Sequence, residues 1–128
     1  MEYPDDFYYT KDHEWIKVQG NSGTIGVTEY AQKQLGDIVY IELPEPGESF
    51  ESGEPIGSIE SVKAVSEVFC PVSGEIIEVN EKVAAEPELV NADAHGAGWL
   101  VKIKIKDKSE LEDLMDSDEY QELVEESE

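Results

Sequence analysis

A chain of 128 residues with 31 acidic side chains against nine cations carries a formal net charge of −22, and all nine cations are lysine. That length suits one compact domain with a modest core and leaves no room for a second catalytic one. A surface this anionic repels phosphate backbones and acidic headgroups, so neither nucleic acid nor membrane is an expected partner. No apolar run approaches a membrane span, and the acidic start does not read as a signal peptide. One cysteine, Cys70, forbids an internal disulfide and argues weakly for a reducing compartment.

In chain order, Trp15 to Val18 and Thr24 to Val27 read as short strands around a hairpin loop, Gly20-Asn21-Ser22-Gly23. Thr28 has the chemistry of an N-cap, Glu29 to Leu35 that of a two-turn helix, and Gly36 that of its C′ glycine. Ile38 to Leu43 is predicted as a strand ended by Pro44-Glu45-Pro46-Gly47, followed by apolar runs at Pro55 to Val62 and Val65 to Val72. A turn at Ser73-Gly74 leads into Glu75 to Val79. After Gly98-Trp99, Lys102, Lys104 and Lys106 alternate with Val101, Ile103 and Ile105, the two-residue period of a strand with a solvated lysine face. From Ser109 the character changes. Ser109 and Glu112 have capping-box spacing, Leu111, Leu114 and Met115 form an apolar stripe, and Ser117 starts a second helix with Tyr120, Leu123 and Val124 on one face. Short, closely spaced strands without βαβ alternation predict a mainly antiparallel sandwich or barrel with helices packed on it.

The segment Glu60-Ser61-Val62-Lys63-Ala64-Val65-Ser66-Glu67 is a palindrome outside its centre. A two-residue turn at Lys63-Ala64 would set Val62 against Val65, Ser61 against Ser66 and Glu60 against Glu67. That turn offers neither glycine nor asparagine, and it opposes two carboxylates. Local rules that fail together point to selection for something other than stability. A lysine at a hairpin tip is either a solubilising residue or an exposed amine for covalent attachment, and both readings stand on the residues alone. No nucleophile–base pair or metal-ligand spacing links Cys70, His13 and His95, so neither catalytic nor metal residues are assigned.

Glu-Ser-Val-Lys-Ala at positions 60–64, followed by Pro71-Val72-Ser73-Gly74-Glu75 and Val79-Asn80, resembles the lipoyl-attachment region of glycine cleavage system H proteins. The resemblance continues through His13-Glu14-Trp15, Ile25-Gly26-Val27-Thr28, Ala31-Gln32, Leu35-Gly36-Asp37, Leu43-Pro44, Pro87-Glu88-Leu89-Val90-Asn91 and Gly98-Trp99. It implies a single lipoyl-carrier domain over 1–128, of the biotinyl/lipoyl-type antiparallel β-sandwich (barrel-sandwich hybrid). Its lipoyl hairpin would span 56–72, with a short internal helix and a C-terminal helical segment at 109–126.

Such a chain is a non-catalytic carrier of lipoate, amide-linked to Lys63. It takes the aminomethyl group of glycine from glycine decarboxylase to aminomethyltransferase, then electrons to dihydrolipoyl dehydrogenase. The resemblance places Glu60 and Gly74 in recognition by the lipoate ligase or lipoyl transferase. Glu14 and Glu67 are the candidates to hold the amine of the loaded arm, Glu67 being as readily an ordinary exposed acid. Gln34 stands where some members have histidine, which removes any proton-handling role from that position. Cys70 reads as a small buried hydrophobe, His13 as structural and His95 as an exposed bystander. A monomer is expected, in the cytoplasm or, for a trimmed eukaryotic form, the mitochondrial matrix. A lipoate carrier of another pathway such as sulfur oxidation, or an unmodified interaction module, are the alternatives; a biotin carrier would have Met beside the lysine. The acidity suits steering toward basic partners, and a halophilic origin would also produce it.

Overall fold

A computed structural model describes residues 3–127. It is mainly antiparallel β, as the sequence predicts. Among the described residues nine strands form two sheets: β1 (Phe7–Tyr9), β2 (Glu14–Gln19), β3 (Ser22–Val27), β4 (Ile38–Glu42), β5 (Ser49–Phe50), β6 (Pro55–Ser61), β7 (Val65–Phe69), β8 (Gly74–Val79) and β9 (Val101–Ile105). Six pair in the order β1-β2-β3-β9-β8-β5, and β4-β6-β7 make a separate three-stranded sheet. Ile16, Ile25, Ile41, Ile59, Val72, Ile76 and Ile103, all at most 3 % exposed, belong to the main apolar core. Neither sheet is closed, which is the barrel-sandwich arrangement. Among the described residues no helix is long and apolar enough to cross a membrane.

Elements whose signals are local follow the sequence closely. Helix α1 covers Glu29–Leu35; Thr28 Oγ1 accepts from the Ala31 N–H, and Gly36 ends the helix at φ 80°. The β9 lysines alternate with buried Val101, Ile103 and Ile105. The first hairpin loop is narrower than expected, because Gln19 already pairs with Ser22 and Gly20 supplies the positive φ of 63°.

The C-terminal segment differs in its caps. Asp107, not Ser109, caps the first turn, accepting from the Ser109 N–H, and Lys108–Asp113 is a 3-10 helix. Helix α4 (Ser117–Ser127) is opened by a reciprocal box in which the Glu119 N–H donates to Asp116 and the Asp116 N–H donates to Glu119. Tyr120 and Val124 then seat α4 on a second, aromatic cluster with Tyr3, Phe7, Tyr9, Trp15 and Tyr30. Two further five-residue helices, α2 (Glu81–Ala85) and α3 (Glu88–Ala92), lie between β8 and β9. Strand β2 serves both clusters: Ile16 faces the main core, and Trp15, one residue earlier, faces the aromatics.

Candidate functional site

Strands β6 and β7 form the predicted hairpin, but its tip is built differently. Glu60 pairs with Val65, Ile59 with Ser66 and Ser58 with Glu67, which corrects the palindromic register by two residues. The loop is therefore Ser61-Val62-Lys63-Ala64. A two-residue turn would require positive φ at Lys63 or Ala64, and His13 is the one non-glycine residue with positive φ among those described. Ser61 closes the wider loop instead. Its buried hydroxyl accepts from the Lys63 and Ala64 N–H groups, and its own N–H donates to the Ala64 carbonyl at 2.8 Å. Because the shift is even, every side chain keeps its face while Glu60 and Glu67 no longer oppose each other.

The tip rests on a platform that the sequence reading did not assign. The Val62 N–H donates to the Asp37 carbonyl at 3.0 Å. Asn91 holds the chain just before and after that carbonyl: its amide donates to the Gly36 carbonyl at 2.9 Å and to Gln32 at 2.8 Å, and its oxygen accepts from the Ile38 N–H at 3.0 Å. The lysine stem runs beside the end of α1, since a Cβ at Gly36 would lie in ordinary contact, 3.5 Å from Lys63 Cε. Asn91 belongs to a segment visible in the sequence, but only its contacts disclose its part. Lys63 itself is exposed. Among the described residues the one lysine–carboxylate contact is Lys102 to Glu78 at 3.9 Å, so no ion pair ties down the Lys63 amine.

Glu60 projects outward beside the tip, and Glu67 is exposed on β7. Glu67 lines an open cleft of about 650 Å³ with Glu42, Glu45, Glu48 and Val65. Glu14 lies elsewhere, in a cleft of about 460 Å³ with Thr10, Ser52, Phe69, Cys70 and Met115. The structure does not bring Glu14 and Glu67 together, and Lys63 lines neither cleft.

Glu14 is only 2 % exposed. The Thr10 hydroxyl donates to one carboxylate oxygen at 2.6 Å and the Phe69 N–H to the other at 3.1 Å. Burial outweighs these two bonds and raises its pKa from 4.5 to about 7. Native Glu14 therefore holds a proton in a window where the unfolded side chain has lost it, so its contribution to stability falls as pH rises from 4.5 to 7. Across that window the loss is on the order of 3 kcal/mol. His13 and His95, both lowered by burial, slope the opposite way. Glu14→Gln removes only the carboxylate's slope, so urea unfolding across pH 5 to 8 is expected to show the variant gaining on the wild type as pH rises. Parallel profiles would contradict this.

Gly74 has a steric reason for being glycine. It starts β8 opposite Ile105, and a Cβ there would meet the Lys104 carbonyl oxygen at 2.5 Å. Cys70 is buried, its thiol donates to the Val72 carbonyl, and its pKa is pushed up to about 12, which suits an inert core residue. His13 is structural: its Nδ1 lies 2.8 Å from the Tyr120 hydroxyl, which is 2.6 Å from Thr28 Oγ1, so α4 is pinned to the start of α1. His95 is not a bystander. It is half-buried, and its Nε2 accepts from the Glu29 N–H at the first turn of α1.

The family model for the glycine cleavage H-protein matches residues 7–127. The glycine cleavage system H protein of Halothermothrix orenii is 56 % identical over 128 residues, all of both chains. That of Staphylococcus carnosus is 49 % identical over 124 residues, 97 % of this chain and 98 % of the relative. A crystal structure of a glycine cleavage system H protein from Mycobacterium marinum superposes with a TM-score of 0.85 at 37 % identity, covering 94 % of this chain and 97 % of the other. With nearly its whole length matched in both sequence and fold, this chain belongs to the glycine cleavage H-protein family.

Proposed function

We propose that this chain is the lipoylated, non-catalytic carrier of a glycine cleavage system, acting as a monomer in the cytoplasm. It would move the aminomethyl unit of glycine from glycine decarboxylase to aminomethyltransferase and electrons on to dihydrolipoyl dehydrogenase. The observation that carries this reading is Lys63, an exposed amine that makes no ion pair among the described residues, on a tip fixed by Ser61 and by the Asn91-braced platform. These residues fit a lipoyl group, which needs a nucleophilic nitrogen that an attaching enzyme can reach and a base that does not swing with the arm. When bound, lipoate supplies a disulfide–dithiol couple able to carry both a one-carbon amine and electrons.

The chain's own task is positioning. Tethering replaces free diffusion by an effective concentration on the order of millimolar for a suitable arm. Glu60, outward beside the tip, contributes to recognition by the attaching enzyme, and Gly74 contributes by letting β8 seat against β9. Glu14, with a pKa near 7, and exposed Glu67 offer carboxylates to a cationic amine from two separate clefts. Acidic surface steers basic partners at low salt and releases them as salt rises.

The test is peptide mapping after incubation with a lipoate ligase, ATP and lipoate. The expected result is one lipoyl mass increment, located on Lys63. Recovery of the tip peptide unmodified, under conditions that lipoylate an authentic carrier, would overturn the reading.

A further inference from the structure

The tip of the β6–β7 hairpin has little packing of its own. Val62 is 70 % exposed and Val65 66 %, and Lys63 and Ala64 between them are exposed too. Lys63 and Ala64 bond inward: their N–H groups donate to Ser61 Oγ, and the Ala64 carbonyl accepts from the Ser61 N–H. Among the described residues, the hydrogen bond by which Val62, Lys63 or Ala64 reaches outside the hairpin is that from the Val62 N–H to the Asp37 carbonyl. Where that carbonyl points therefore decides where the root of the Lys63 side chain sits.

Asp37 is poorly placed to hold the carbonyl alone. It is exposed, and it follows Gly36, whose φ of 80° comes with no side chain to restrict the turn out of α1. Asn91 supplies the restraint. The Asp37 carbonyl and the Ile38 N–H are the two ends of one planar trans peptide group and point in opposite directions. Asn91 Oδ1 accepts from that N–H at 3.0 Å, and the Asn91 amide donates to the carbonyl of the preceding peptide, that of Gly36, at 2.9 Å. One side chain thus grips the peptide planes on both sides of the Asp37 Cα. Its amide is steadied in turn by Gln32 at 2.8 Å, and fully buried Val90 seats α3 beside it. Because Ile38 offers a donor and Gly36 an acceptor, an amide answers both. A carboxylate would set its charge against the Gly36 carbonyl, and an apolar side chain would strand both groups.

We propose that Asn91 is a positioning residue for the acylation of Lys63, acting through the Asp37–Ile38 peptide to hold the Val62 N–H and with it the root of the lysine. The inference rests on the carrier reading above. Its effect falls on the step in which the Lys63 nitrogen itself reacts. There the neutral amine attacks the carbonyl carbon of a lipoyl adenylate. The N–C bond forms, the C–O bond to AMP breaks, AMP leaves with that electron pair, and the nitrogen gives one proton to water. A single lysine side chain separates the braced backbone from the bond being made, so wander at the tip subtracts directly from the geometry of attack. Once lipoate is attached, the reacting sulfurs lie a whole flexible arm away, and the arm absorbs the same wander.

The test compares the wild type with Asn91→Ala and with a matched control, Asn80→Ala. Asn80 is buried as well; its amide donates to the carbonyls of Ala97 and Trp99 and its oxygen accepts from the Lys82 N–H, all away from the hairpin. With purified ATP-dependent lipoate ligase, Asn91→Ala is expected to lower kcat for acylation roughly tenfold while KM for the carrier changes little, since the exposed side chains of the tip are intact. Asn80→Ala loses as many hydrogen bonds and is expected to match the wild type in both constants per folded molecule. In Asn91→Ala the Val62 amide should lose about tenfold in protection from hydrogen exchange, while the Ser61 amide, bonded within the loop, keeps its own. Driven to full lipoylation by long incubation, Asn91→Ala should serve glycine decarboxylase within about twofold of the wild type. A further measurement needs no variant. In the wild type, scalar couplings across hydrogen bonds should link the Ile38 nitrogen to Asn91 Cγ and the Val62 nitrogen to the Asp37 carbonyl carbon. Absence of either coupling, a normal kcat in Asn91→Ala, an equal loss in Asn80→Ala or an equal loss with glycine decarboxylase overturns this proposal alone. No acylation of the wild type overturns the carrier reading and this proposal with it.

Discussion

Lys63→Arg is expected to abolish glycine cleavage supported by this chain while leaving its fold and stability unchanged. The position is exposed, and among the described residues it makes no ion pair. Its stem passes the Gly36 backbone, where even an added Cβ would lie 3.5 Å from Cε, an ordinary contact. Arginine keeps the charge and nearly the length, so removing lysine costs the fold nothing identifiable. What it removes is chemistry. A guanidinium stays protonated at any workable pH and has no free amine to form an amide. Release of labelled carbon dioxide from glycine, with the partner enzymes supplied, should fall to the level of a reaction lacking carrier, while the thermal transition overlays that of the wild type. Measurable turnover by a correctly folded variant would place the attachment elsewhere.

The parts of this molecule that its sequence discloses are those whose causes are local. Thr28 and Gly36 bound α1 through bonds within one turn, and the β9 lysines alternate because one face of that strand is buried. Strands of two or three residues, such as β5 and β1, and helices of five, such as α2 and α3, are too short to show a period. The hairpin shows the boundary most clearly. Two strands and an exposed lysine could be read from residues 55–69, but the register could not, because it depends on a serine side chain replacing a glycine's backbone freedom. The same holds for the platform: Asn91 reaches Gly36 and Ile38 across more than fifty residues of chain. Glu14 reads as an ordinary acid until the Phe69 N–H and the surrounding core are known. The exposed lysine at the hairpin tip was therefore legible and the means of holding that tip was not.

Trp15→Ala is expected to destabilise the fold by about 3–5 kcal/mol, a large share of the 5–15 kcal/mol that typically separates native from unfolded chains. Trp15 is 2 % exposed, and its ring stacks on Phe7 with centroids 4.6 Å apart. Its indole N–H is shared between the carbonyls of Val27 and Ala94, at 3.0 Å each, which ties the end of β3 to the loop carrying His95. Gly26 accommodates the ring, since a Cβ there would lie 2.6 Å from the indole. Alanine would leave a cavity and strand two carbonyls at once. Trp15→Phe separates the contributions, keeping most of the apolar volume while losing the donor, and should cost roughly 1–2 kcal/mol. Because Trp15 faces the aromatic cluster and Glu14 the opposite side of β2, acylation of Lys63 per folded molecule should be unchanged in both variants. The check is the urea midpoint at constant m, read beside ligase kinetics below the transition. A loss under about 1 kcal/mol for alanine would mean that the aromatic cluster does not carry α4 as described.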